Sequence, residues 1–70
     1  MEIHRSARAH GIGDADILEA AGHCLVGYLI DDESPPRELR LGYDTRGRLL
    51  EVVVLLRADG TELVVQAMEA

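Results

Sequence analysis

Arg40 and Glu51 are the two residues whose types and placement could do chemistry together. Arg40 offers a planar, permanently charged donor set that can hold an anionic oxygen. Glu51 is a carboxylate that can take a proton as a general base. Gln66 lies near them on the next run, and Arg48 is close enough along the chain to assist. The competing reading is a cross-strand ion pair on a solvated sheet face, worth roughly 0.2–1 kcal/mol. On the residues alone that structural reading is the stronger.

The other reactive types have weaker cases. Arg46 and Arg48 flank a turn and could hold an RNA backbone, but turn-flanking arginines most often face solvent. His10 precedes Gly11, where a histidine more often serves as a helix C-terminal cation than as a catalyst. His4 and His23 have less to recommend them. Cys24 reads as a small core residue rather than a nucleophile. Gly11-x-Gly13 lacks the third glycine and the preceding strand of a phosphate loop. The Asp31-Asp32-Glu33 run reads as a solvated loop rather than a cation site.

Three strands and two tight turns must position the Arg40–Glu51 pair. Arg37 to Tyr43 alternates polar and apolar, Arg48 to Arg57 is an apolar β-branched run, and Thr61 to Met68 alternates again. Asp44-Thr-Arg-Gly47 and Asp59-Gly60 are turn signals. A four-residue loop at 44–47 pairs Tyr43 with Arg48, Leu41 with Leu50 and Arg40 with Glu51. A two-residue loop at Asp59-Gly60 pairs Arg57 with Glu62, Val54 with Val65, Val53 with Gln66 and Glu51 with Met68. The first face then holds Leu39, Leu41, Tyr43, Leu50, Val52, Val54, Leu56, Leu63, Val65 and Ala67, and is expected to be core. The second holds Arg40, Glu51 and Gln66. A slip of one residue would exchange the faces.

Before these strands, Ser6 to His10 reads as a short helix stopped at Gly11, and Gly13-Asp14 opens a second helix that ends at Gly22. Its Ile17, Leu18 and Ala21 are expected to meet Leu50, Val52, Val54 and Val65. His23 to Ile30 reads as a further strand, and Asp31 to Pro36 as a solvated connection. The expected fold class is therefore α+β, with two N-terminal helices packed on one face of a four-stranded, mostly antiparallel sheet.

Seventy residues suit a single domain, residues 1–70, of marginal stability. With one cysteine there is no disulfide and no structural zinc site, so self-association or a partner is expected to add stability. Met1-Glu-Ile-His-Arg is not a signal peptide and no apolar run approaches a membrane span, so a cytoplasmic location without membrane attachment is expected. The net charge is −6 and every basic residue is Arg. Such a balance disfavours tight nucleic-acid binding, which rests on phosphate neutralisation, and suits a protein partner with a basic surface.

One ordered series runs through nearly the whole chain: Ala7-Arg-Ala-His10-Gly11-Ile12, a helix opening with acids, Arg37-x-Leu-x-Leu-Gly42, Gly47-Arg-Leu-Leu-Glu-Val-Val-Val54, and Val64-Val-Gln-Ala-Met68. It resembles the BrnT-like toxins of bacterial toxin–antitoxin modules, which share the RelE-type ribonuclease fold. The resemblance implies a RelE-like endoribonuclease that cuts mRNA, free or on the ribosome, without metal or cofactor, and is neutralised by a cognate antitoxin. Arg40, Glu51 and Arg48 would be its catalytic residues, and Arg46, Arg37 and Gln66 its RNA contacts. The His10-Gly11 pair makes it look most like a small actinobacterial branch of that group; Met68 stands where related toxins usually carry Arg, and Gln66 where that branch often carries His. Together with the acidic balance, these departures define a second expectation, a non-catalytic α+β protein-interaction module.

Overall fold

The computed structural model describes residues 1–70 as one five-stranded sheet with a single α-helix across one face. The strands are β1 (Glu2–Ile3), β2 (Val26–Leu29), β3 (Arg37–Tyr43), β4 (Leu49–Leu56) and β5 (Glu62–Glu69), in the spatial order β1-β5-β4-β3-β2. Helix α1 is Asp14–Gly22. Neighbours among β2 to β5 are antiparallel, and β1 runs parallel to β5. No helix is long and apolar enough to cross a membrane.

This corrects the expectation of two helices on a four-stranded sheet. Residues Arg5–Arg8 form only a 3₁₀ turn. His4 caps it by accepting from the Ser6 N–H at 3.1 Å, and Gly11 turns the chain away at φ 75°. So short a segment cannot repay the cost of helix nucleation. The residues before it add a fifth strand instead, anchored where the His4 N–H donates to the Val64 carbonyl at 2.8 Å.

The register of the first hairpin is also one residue away from the expected one. Arg40 lies opposite Val52, Leu41 opposite Glu51 and Tyr43 opposite Leu49. The cause is loop length. Asp44 is still paired, its N–H donating to the Arg48 carbonyl at 2.8 Å, which leaves a three-residue loop at 45–47. Gly47 sits at φ 81°, the left-handed position that closes such a loop. The second hairpin repeats the pattern: Arg57 pairs with Thr61 rather than Glu62, and Gly60 is at φ 87°. There a β-bulge near Val65 returns the strands to the expected register, with Val53 opposite Gln66 and Glu51 opposite Met68. The Ser6 hydroxyl donates to the Val65 carbonyl at 2.7 Å.

The core lies between α1 and the sheet. Ile17, Ala20 and Ala21 pack on Leu50, Val52, Val54, Val64 and Ala67, with Ala7 and Ile12 closing the end. Leu18 is exposed, and Val64 takes the core place expected of Val65. On β3 the helix-facing residues are Glu38, Arg40 and Gly42, since these lie opposite Val54, Val52 and Leu50. Leu39, Leu41 and Tyr43, expected in the core, point to the other face, which no helix covers.

Candidate functional site

Arg40 and Glu51 lie on opposite faces of the sheet, so the structure separates the expected cation–base pair. Arg40 is only 12% exposed and each of its nitrogens has a partner. Its Nε donates to Glu38 at 2.6 Å, its Nη2 to Glu62 at 2.6 Å, and its Nη1 to both Glu62 and the Ala21 carbonyl at 3.2 Å. The side chain therefore spans from β3 over β4 to β5 and serves one of the free carbonyls near the end of α1. Glu62, desolvation by burial and Glu38 act on it in that order, and the net result is a guanidinium held still more firmly charged than usual. Binding a phosphate here would require giving up two carboxylates, so the role of Arg40 is structural.

Arg48 and Arg46 belong to a second network, at the turn between β3 and β4. Asp44, fully buried at its side chain, accepts from the backbone N–H groups of Arg46 and Arg48 at 2.8 Å and from Arg48 Nε at 2.6 Å. Burial alone would raise the Asp44 pKa. The Arg48 N–H and guanidinium and the Arg46 N–H outweigh it and hold the carboxyl below its usual range. Asp16 of α1 reaches the same turn. It accepts from the Thr45 hydroxyl, from the Thr45 N–H at 3.1 Å and from Arg46 Nη2 at 3.3 Å. The Thr45 hydroxyl is the main reason its pKa is lowered. Arg48 Nη2 makes no hydrogen bond and lies 3.6 Å from Asp16 Oδ2. The network clamps the helix to the turn.

Arg37 is held by Asp31 at 2.5 Å, so the acidic run is tied back to the sheet. With Arg8 on Asp14 and Arg57 on Glu2, six of the seven arginines contact a carboxylate at 2.5–3.3 Å, Arg5 being the exception. The histidines are exposed at the surface. His4 caps the 3₁₀ turn, and His23 lies at the end of α1, 3.0 Å from Glu19. Cys24 is half-buried just before β2. No group of His, Cys, Asp and Glu has the arrangement to hold a metal ion.

What remains is the open face of the sheet. Glu51 is half-buried on it, between Leu41 and Met68, and makes no hydrogen bond or ion pair. Gln66 lies diagonally beyond Met68 on the same face, its amide donating to the Met68 sulfur at 3.3 Å. Around them are Leu39, Leu49 and Val53, with Tyr28 and Tyr43 half-exposed at the rim. The two arginines on this side, Arg37 and Arg57, are both occupied by carboxylates. The face can bury apolar surface and offers one carboxylate, one amide and two phenols. It offers no free cation. The largest depression in the molecule, about 490 Å³, lies elsewhere, between Glu2, Arg57 and the Gly60 turn.

The Glu51–Met68–Gln66 grouping agrees with the sequence reading, because the β4–β5 register holds through Val53. The open apolar face was missed. Its signal was the β4 run itself, apolar at successive positions from Val52 to Leu56 and thus on both faces. No protein-family model matches this chain, and neither a curated protein nor a solved structure matches it.

Proposed function

We propose that this chain is the toxin-type member of a bacterial toxin–antitoxin pair, acting in the cytoplasm, and that its first action is to bind a protein across the open face of the sheet. The observation that carries the reading is that face: aliphatic residues and two tyrosines around one unpaired carboxylate, with no helix over them. Such a surface gains about 25 cal/mol for each Å² of apolar area it withdraws from water, and a patch of this kind marks an interaction site. The pairing of six arginines supports the same reading, because it leaves no cationic stripe for a phosphate backbone. The ordered motifs Arg37-x-Leu-x-Leu-Gly42 and Gly47-Arg-Leu-Leu-Glu51 support the toxin identity, and the partner is then the antitoxin. An element of the antitoxin that covers this face would present apolar side chains and one cation to Glu51.

The test is induced expression with and without the protein encoded by the adjoining gene, followed by titration of the two purified proteins. Growth arrest relieved by that protein, and binding lost in Leu41→Lys, support the proposal. Binding unchanged in Leu41→Lys would move the interface off this face. A second reading, an mRNA endoribonuclease, is favoured by the unpaired Glu51 beside Gln66 on open surface, where Glu51 would serve as the base. RNA cleavage by the purified chain that Glu51→Gln abolishes would support it. Cleavage that Glu51→Gln leaves intact would remove it. Arg40→Ala does not discriminate, because Arg40 holds the fold together.

A further inference from the structure

The edge strand β2 has a property the open face does not share: it is exposed on both sides. All four of its residues are exposed, and Leu25, Val26, Tyr28, Leu29 and Ile30 are between 46% and 66% accessible. Five of the eight exposed large apolar residues of the molecule therefore lie in this one segment. Sheet edges are ordinarily blunted by lysine, proline, a strong bulge or a covering element. Leu25 to Ile30 contains no charge and no proline, and α1 covers only the inner strands. The Ile30 N–H donates to the Arg37 carbonyl at 2.9 Å. Antiparallel bonding alternates, so counting back from Ile30 turns Tyr28 toward β3 and the backbone groups of Gly27 and Leu29 outward; the alternation ends at Leu25, whose N–H donates to the Leu41 carbonyl at 2.7 Å although Val26 is the residue opposite Leu41.

We infer that β2 pairs antiparallel with β2 of a second copy of this chain, joining two sheets of five strands into one of ten. The free groups define the register. Gly27 of each copy exchanges both backbone bonds with Leu29 of the other, Tyr28 meets its own counterpart on the two-fold axis, and Val26 lies opposite Ile30. Tyr28, Val26 and Ile30 then form one apolar cluster on the open face. On the other side Leu29 lies against Gly27, next to the Glu38 side chain, whose Oε2 is 3.0 Å from where a Gly27 Cβ would stand. Charge favours this arrangement. In a chain of net charge −6, β2 itself carries no charged side chain, and the one carboxylate that reaches it, Glu38 beside Gly27, is paired with Arg40. The antiparallel order carries the two Asp31–Glu33 runs to opposite ends of the ladder. At about 3.4 Å per residue they are roughly 25 Å apart, several times the ~8 Å screening length at physiological salt. The five side chains offer on the order of 500 Å² per copy, below the roughly 800 Å² of a standard interface. The dimer is therefore a reversible one, with association in the micromolar range.

Tyr28 provides the test, because its two copies meet on the axis and the side chain is 51% exposed in the monomer. Tyr28→Lys and Tyr28→Glu each oppose like charges, while a mixture of the two opposes Lys to Glu. Sedimentation is measured from roughly 10 to 500 μM, the range that brackets such an affinity, and folding is checked by circular dichroism. Wild type should dimerise. Each variant alone should stay folded and lose about tenfold in association, from the lost aromatic pair and the opposed like charges together, and the equimolar mixture should recover part of it as a heterodimer. In a Cys24→Ser background, Tyr28→Cys should form an intermolecular disulfide on mild oxidation, since directly opposed Cα atoms of this pair type lie about 4.5 Å apart. Three results overturn the inference: a wild type that stays monomeric over this range, single variants that dimerise as wild type does, or a mixture that remains monomeric.

Discussion

Replacing Gly42 by alanine should cost this domain a large part of its stability. A Cβ built on Gly42 falls 2.1 Å from the Ala20 carbonyl oxygen, 2.9 Å from its carbon and 3.1 Å from its Cα. All three are helix backbone, so no side-chain rotation relieves the overlap. Ordinary contact begins at 3.4 Å, so α1 and β3 must separate by 1.3 Å, the difference between 3.4 and 2.1 Å. A gap of about 1 Å forfeits up to half of each dispersion contact across it, and lifting α1 from the sheet also loosens Ile17, Ala20 and Ala21 from the core they share with β4 and β5. Overpacking of cores typically costs 1–3 kcal/mol with yielding side chains, so about 3 kcal/mol is expected where the obstacle is backbone. A chain this small has roughly 4–10 kcal/mol in total. At about 4–8 °C per kcal/mol the midpoint should fall by roughly 10–25 °C. Urea and thermal melts measure this, with Gly22→Ala as the control. Gly22 ends the same helix with nothing within 4 Å of its Cβ position, so alanine there should be neutral or stabilise by up to about 1 kcal/mol. A Gly42→Ala protein within about 0.5 kcal/mol of wild type, below the usual overpacking range, would refute the close approach of α1 to β3.

Arg40→Ala should destabilise by roughly 1–3 kcal/mol, because it leaves Glu38, Glu62 and the Ala21 carbonyl without their donor. Adding Glu62→Gln should return part of that loss, which a double-mutant cycle in urea would read. Stability should fall in acid. Glu62 is held below 4.5 by its hydrogen bond to Arg40, and Asp16 below 3.8 by the Thr45 hydroxyl, with Asp14, Asp31, Asp44 and Asp59 shifted the same way. A depressed carboxylate contributes fully above its unfolded value and loses that contribution as the pH falls through its folded one. The urea midpoint should therefore be level above about pH 5 and drop below about pH 4, less steeply in Glu62→Gln. Gly47→Ala and Gly60→Ala should each cost about 1–2 kcal/mol in thermal melts, since φ of 81° and 87° strains any residue with a Cβ.

How much of this was legible in the sequence depended on whether a signal was local. Gly13-Asp14 and Gly22 bracket α1 because caps and stops act within one turn, and the three long strands follow from their apolar runs. The face assignment needed one further quantity, the length of each loop. The sequence pattern places Asp44 inside its turn, whereas its backbone still pairs with Arg48 while its side chain organises the loop. That single residue moves Arg40 from the surface beside Glu51 to a position under the end of α1. The usual safeguard against such a slip is that only one register buries the apolar residues. It failed here because β4 is apolar on both faces and β3 sends Leu39 and Leu41 to the uncovered side. What faces the helix from β3 is Glu38, Arg40 and Gly42: a cation satisfied by two acids, and a gap where the helix backbone fits. A pattern that equates apolar with buried cannot find that arrangement, because the core side of the strand is held by an ion-pair network and by the absence of a side chain. The same failure points to function. Once α1 has taken the polar side of β3, none of the described elements covers the apolar side, and that face is the one the proposed partner would bury.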